Sequence, residues 1–142
     1  MRITPDTNVL VRAAVPIRDA ASEDGLQAVQ ARAALRAATL IAITPPTLCE
    51  FVWVLRSAYK YSKNEIRHAV ETLCAAASVT CDRAVVEAGL AALSAGGDFA
   101  DGVIAAAGAA MGGDTFLSFD RKAVRLLRDA GHNARLVNDQ EP

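Results

Sequence analysis

Short apolar runs alternate along the chain with longer stretches in which apolar residues recur at helical spacing. The short runs predict four strands, over residues 2–5, 40–43, 115–119 and 134–137. The longer stretches predict seven helices, over residues 7–14, 22–38, 46–59, 63–76, 83–95, 98–111 and 121–130. Several helix boundaries carry their own signal: Ser62-Lys63-Asn64-Glu65 fits a capping box, and glycines follow three predicted helix ends, at Gly96, Gly112 and Gly131.

Strands that alternate with helices favour a mostly parallel central sheet with helices on both faces. We therefore expect an α/β fold with short strands. No linker, repeat or low-complexity segment divides the sequence, so we expect a single domain over residues 1–142. In such sheets, ligands bind beyond the carboxyl ends of the strands. This edge is where functional residues are expected.

Two helices carry specific expectations about burial. In the helix over 22–38, the residues expected to face the core are Leu26, Val29, Ala33 and Leu35. The helix over 46–59 carries large apolar groups on more than one face, namely Phe51, Trp53, Val54 and Tyr59. We interpret these groups as core. The alternative is that one face makes a dimer contact or a groove for a partner helix.

Composition excludes several classes of protein. With 142 residues, 52% of them hydrophobic, and a net charge of -1, the chain suits one folded domain and not a disordered one. No apolar stretch approaches the roughly 20 residues of a membrane helix, and the first residues do not resemble a signal peptide. Cys49, Cys74 and Cys81 form no CxxC motif and cannot all pair. We expect buried, reduced thiols in a cytoplasmic protein.

Five acidic residues fall where the carboxyl ends of the strands are expected. Asp6 follows the first predicted strand, Glu50 lies in the helix after the second, and Asp120 follows the third. Asp98 and Asp101 begin the helix before the third strand and share one helix face. Carboxylates that lie close together repel strongly, so a cluster of them needs protons or cations. Donors that are all oxygen select Mg²⁺ or Mn²⁺, and such a site suits attack of water on a phosphodiester.

Each acid also has a purely structural interpretation. Asp6, Asp98 and Asp120 fit ordinary helix N-caps, and Asp101 could offset a helix dipole. Glu50 is harder to explain this way, because its neighbours are nearly all apolar and a carboxylate there needs a partner. The joint placement of the five acids favours a site. Without them the remaining sequence is net basic, as suits a protein that binds a phosphate polymer.

The sequence resembles PIN-domain ribonucleases, specifically toxins of the VapC type from type II toxin–antitoxin pairs. The resemblance spans essentially the whole chain. It rests on Asp6-Thr7-Asn8-Val9-Leu10, on Glu50, on the segment from Asp98 to Ala106, and on Ser118-Phe119-Asp120.

The resemblance implies a three-layer sandwich and an endoribonuclease toxin that depends on Mg²⁺, with Mn²⁺ as the other candidate. It implies that the catalytic, metal-binding quartet is Asp6, Glu50, Asp101 and Asp120, with Asp98 as an additional metal ligand. Thr7, Asn8 and Ser118 match supporting polar positions. The implied partners are an RNA substrate, a cognate antitoxin and a second copy of the chain, with no membrane. Arg12, Arg18 and Lys60 are candidate phosphate contacts.

The sequence is also compatible with other functions. A PIN-like domain could bind RNA without cutting it. A phospho-acceptor receiver module also gathers acids at strand ends, but it needs a lysine near a late strand, and Lys122 lies inside a predicted helix. A phosphatase of the haloacid dehalogenase type needs a second aspartate where this chain has Asn8.

Overall fold

The computed structural model describes residues 1–139, which divide into two compact units. The first unit runs from Met1 to Cys81, and the second begins at Asp82. The elements of the first unit are β1 (Arg2–Ile3), α1 (Thr7–Ala14), α2 (Glu23–Ala37), β2 (Leu40–Ala42), α3 (Pro45–Ser57), α4 (Lys63–Ala75) and β3 (Val79–Thr80). Those of the second unit are α5 (Arg83–Ser94), α6 (Phe99–Ala110), β4 (Phe116–Ser118), α7 (Arg121–Asp129) and β5 (Ala134–Leu136).

The first unit is built on a parallel sheet in the order β1-β2-β3. In its register Ile3 pairs with Ile41, and Ile41 pairs with Val79. The largest fully buried side chains of this unit come from the helices, and they include Leu10, Phe51 and Ile66. Strand β3 is absent from the sequence prediction, because a strand of two residues leaves no alternating pattern to detect.

The second unit pairs β4 with β5 in parallel and packs α7 against them. Its core cluster consists of Ala105, Val124, Leu127, Ala134 and Leu136. Helices α5 and α6 approach each other closely because Gly89 leaves room for the ring of Phe99, which is buried.

The seven predicted helices are present, each within about two residues of its predicted bounds, and together they take up about 59% of the described residues, 1–139. The parallel strands and the helices confirm the α/β fold class. The strands pair as a three-stranded sheet in the first unit and a two-stranded sheet in the second. The single domain stays a prediction. No helix within residues 1–139 has the length and apolar character to cross a membrane.

The prediction of which face of α2 packs into the core is wrong. The buried residues of this helix are Gly25, Ala28 and Ala31, whereas Leu26 and Val29 are exposed. The loop before the helix explains the difference: a Cβ on Gly25 would lie 2.2 Å from the carbonyl oxygen of Asp19. Only small side chains fit such close packing, so the larger ones face outward. Ala33 is also exposed, and Leu35 is partly buried.

Two further expectations about burial need correction. Within residues 1–139 the three cysteines form no disulfide, but only Cys74 is buried, while Cys49 and Cys81 are partly exposed. In α3, Phe51 is buried as expected, whereas Trp53 is 68% exposed. Trp53 therefore does not belong to the core.

Candidate functional site

Asp6 stands at the carboxyl end of β1, where the chain turns into α1. It is the N-cap of that helix, and its Oδ1 accepts a hydrogen bond from the backbone N–H of Val9 at 3.2 Å. The side chain is exposed. Because the cap bond uses one carboxylate oxygen, the orientation of Asp6 is fixed while lone pairs on the other oxygen stay available for a ligand.

Glu50 is tied to the first turn of α1 through Thr7. The hydroxyl of Thr7 donates to Oε2 of Glu50 at 3.2 Å, so one hydrogen bond joins α1 to α3. Glu50 is exposed despite its apolar sequence neighbours. Its hydrogen-bond partner is Thr7, the polar residue that follows Asp6.

Three carboxylates of the second unit occupy two helix starts. Asp98 caps α6, and its Oδ1 accepts from the N–H of Ala100 at 3.1 Å. Asp120 caps α7, and its Oδ1 accepts from the N–H of Ala123 at 3.0 Å. Ser118 supports Asp120, because its Oγ accepts the backbone N–H of Asp120 at 3.0 Å. The cap interpretations are thus correct, and they leave one oxygen of each carboxylate free of the cap.

Asp101 is the partly buried member of this acidic group. Burial raises the pKa of Asp101, and the negative charges of Asp98 and Asp120 raise it further. Within residues 1–139, no hydrogen bond or ion pair offsets the charge of its carboxylate. The three acids therefore create a local negative potential that a cation would relieve.

The donor chemistry of both units fits a hard cation. Every candidate ligand is a carboxylate, and oxygen donors suit Mg²⁺ or Mn²⁺. In the described part of the chain, no three His, Cys, Asp or Glu side chains form a ready-made metal-binding group. The residues therefore fit a divalent cation in the type of their donor atoms, in their negative charge and in the oxygen atoms that the caps leave free.

A cleft of about 420 Å³ is lined in part by Asp6 and lies within the first unit. Asn8 and Arg12 line it from α1, and Gln27 and Gln30 line it from α2. The sequence analysis missed both glutamines, because an isolated glutamine on a helix carries no signal until its neighbours in space are known. Arg12 is already held by Asp24 in an ion pair of 3.0 Å, so it is not a free phosphate contact.

A family model described as PIN domain matches residues 3–128, which is most of the chain. The matched range takes in residues of both units and all the acids described above. A comparison with curated proteins gives no match.

Proposed function

The chain belongs to the PIN domain family, and from that premise we propose that it is a metal-dependent endoribonuclease. PIN domains are generally metal-dependent nucleases, and PIN nucleases generally bind RNA. The observation that carries the proposal is the partly buried carboxylate of Asp101 beside Asp98 and Asp120, in a family that typically uses divalent metals. The alternative of a PIN-like domain that binds RNA without cutting it lacks a reason for this cluster.

We assign the cation to Asp6, Glu50, Asp101 and Asp120, with Asp98 as an additional ligand. Support comes from the order and spacing of these acids along the sequence and from the geometry within each unit. A bound Mg²⁺ or Mn²⁺ supplies activation of water and neutralisation of the leaving oxygen. No serine, cysteine or histidine nucleophile is needed for this reaction.

The polar neighbours hold these acids in place. Each N-cap bond restricts the rotation of its carboxylate, so less entropy is lost when a ligand binds. Thr7 performs the same role for Glu50 from the neighbouring helix, and Ser118 fixes the backbone at Asp120. Asn8, which is exposed beside Asp6, is available to orient the RNA or a water molecule.

The test is cleavage of total RNA by the purified protein in Mg²⁺, in Mn²⁺ and in chelator. Discrete fragments that need the metal are expected from the wild type and not from Asp6→Asn or Asp120→Asn. Asp82→Asn is the matched control, because Asp82 caps α5 through the same kind of bond but is not one of the candidate ligands. RNA that is bound but left uncut would favour the alternative.

The finer role that we propose is that of a toxin held in check by a cognate antitoxin, in a homodimer located in the cytoplasm. The resemblance to VapC-type toxins supports this role. Exposed apolar groups are consistent with partner surfaces, notably Trp53, which is 68% exposed on α3. We place Trp53 at the dimer contact, so Trp53→Ala should shift the mass in solution toward the monomer. Met111→Ala removes another exposed side chain and serves as the control.

A further inference from the structure

The cleft beside Asp6 has the size of a small-molecule site. Its volume is about 420 Å³, within the roughly 300–1,000 Å³ typical of ligand pockets. Its walls are α1 and α2, so every lining residue belongs to the first unit. Ala34 is one of the lining residues, and its short side chain leaves the space beside it open. Whatever binds in this cleft lies next to an acid that we assign to the cation.

The polar groups of the cleft are mainly uncharged amides. Gln27 and Gln30 are three residues apart on α2 and therefore share one helix face. Asn8 adds a third amide from α1. The Nε of Arg12 donates to Oε1 of Gln27 at 3.1 Å, which fixes that amide and leaves its NH₂ group available to donate to a ligand.

Arg12 organises the cleft and does not attract anions into it. Its guanidinium forms an ion pair with Asp24 at 3.0 Å and donates to the hydroxyl of Tyr59 at 3.0 Å. Its positive charge is therefore largely balanced by Asp24, and Asp6 adds a negative charge to the lining of the cleft. A phosphate is disfavoured in such surroundings, whereas a neutral ring with hydrogen-bonding edges is not.

We propose that this cleft binds one base of single-stranded RNA next to the cleaved phosphate, with Gln27 and Gln30 contacting the base edge. This proposal rests on the proposed nuclease function. Sequence-specific proteins recognise unpaired RNA bases through hydrogen bonds to their edges, and glutamine provides both a donor and an acceptor for such contacts. The cleft would then determine which base may flank the cut.

The first test fills the cleft without touching an acid. Ala34→Phe places a ring in the open space, whereas Ala33→Phe makes the same change at an exposed neighbour on the same helix that does not line the cleft. The probe is a library of short single-stranded RNAs of random sequence, incubated with Mg²⁺. We expect Ala34→Phe to lower kcat/KM about tenfold, the loss that follows from one base contact. Ala33→Phe should match the wild type.

The second variant tests recognition of the base. Gln30→Leu keeps a side chain of similar size but removes the amide, so it should broaden the base preference beside the cut in the sequenced fragments. If the wild type cleaves the library, and Ala34→Phe and Gln30→Leu both cleave it with unchanged rate and preference, the base-binding proposal is overturned while the nuclease function stands.

A measurement without cleavage separates the two proposals. The four ribonucleosides, which carry no phosphate, are titrated into the metal-free protein, and the side-chain amide signals of Gln27 and Gln30 are followed by NMR. We expect at least one base to shift both signals in the wild type and in Ala33→Phe, but not in Ala34→Phe. The absence of shifts with all four bases would overturn base binding, whether or not the protein cuts RNA.

Discussion

Addition of one methyl group at Gly102 should push α6 away from α5. A Cβ at this position would lie 2.2 Å from the carbonyl oxygen of Ala88 and 2.9 Å from the Cβ of Ala92. These atoms belong to the backbone or lie next to it, so they move only if the helix moves. Gly108 lies in the same helix, and a Cβ there meets nothing within 4 Å. Substitution by alanine should therefore lower the stability of the protein at Gly102 and raise it at Gly108.

The magnitudes follow from packing and helix propensity. Gly102→Ala should destabilise the protein by about 1–3 kcal/mol, the usual cost of overpacking. Gly108→Ala should stabilise it by about 0.5–1 kcal/mol, because alanine favours the helix. At about 3 °C per kcal/mol for a chain of this length, the two thermal midpoints should differ by roughly 5–12 °C.

Thermal unfolding followed by circular dichroism measures this difference. Because Asp98 caps α6 and Asp101 lies in its first turn, Gly102→Ala should also lower RNA cleavage measured well below its own midpoint, and Gly108→Ala should leave cleavage unchanged. If Gly102→Ala raised the midpoint as Gly108→Ala is expected to do, the close approach of α5 and α6 would be refuted as the reason for this glycine.

Three other substitutions test single interactions. Asp101→Asn should abolish cleavage yet raise stability at neutral pH. Because the pKa of Asp101 is raised in the fold, this gain should shrink as the pH falls and disappear below the ordinary value of 3.8, as measured by urea unfolding across pH. Thr7→Val should lower kcat up to about tenfold by freeing Glu50, while Thr7→Ser should retain activity. Ser62→Ala should cost about 1 kcal/mol in urea unfolding without affecting cleavage. The hydrogen bonds between Glu65 and Ser62 lower the pKa of Glu65. Their contribution to stability is therefore present above pH 4.5 and is lost as the pH falls through the lowered pKa.

Helix starts could be predicted because their physics is local. The capping box at the start of α4 is present in full: Oγ of Ser62 accepts from the N–H of Glu65, and the N–H of Ser62 donates to Oε1 of Glu65 at 2.9 Å. The caps at Asp6, Asp98 and Asp120 are present too. A cap involves residues within three positions of one another, so the sequence alone contains the whole interaction.

The buried face of α2 could not be predicted, because it depends on chain segments that only the fold brings together. Large apolar residues ordinarily mark the core face, but in α2 the backbone of Asp19 lies so close that Gly25 faces inward and Leu26 outward. Trp53 is a second example: its apolar ring predicts burial, yet its side chain is exposed on α3. Hydrophobicity alone does not decide which face a helix buries.

The acids were predictable as candidates because each follows a predicted strand or lies near a helix start, and a parallel strand directs the residues after it to one edge of its own sheet. Their supporting contacts were not. The hydrogen bond from Thr7 to Glu50 joins residues 43 positions apart, and the contact of Arg12 with Gln27 joins two helices. Neither pair forms a motif in the sequence, so the cleft beside Asp6 emerges only from the folded chain.

In the mechanism that we propose, water activated at the carboxylate site is the nucleophile that cuts RNA. Cleavage of total RNA in ¹⁸O-labelled water with Mg²⁺, followed by mass spectrometry of the fragment ends, tests it directly. We predict that each cut creates one terminal phosphate carrying one ¹⁸O atom and one unlabelled hydroxyl end, with no 2′,3′-cyclic phosphate. Cyclic phosphate ends without label would mean that the RNA's own 2′-hydroxyl attacks, and that result would contradict the mechanism proposed for these acids.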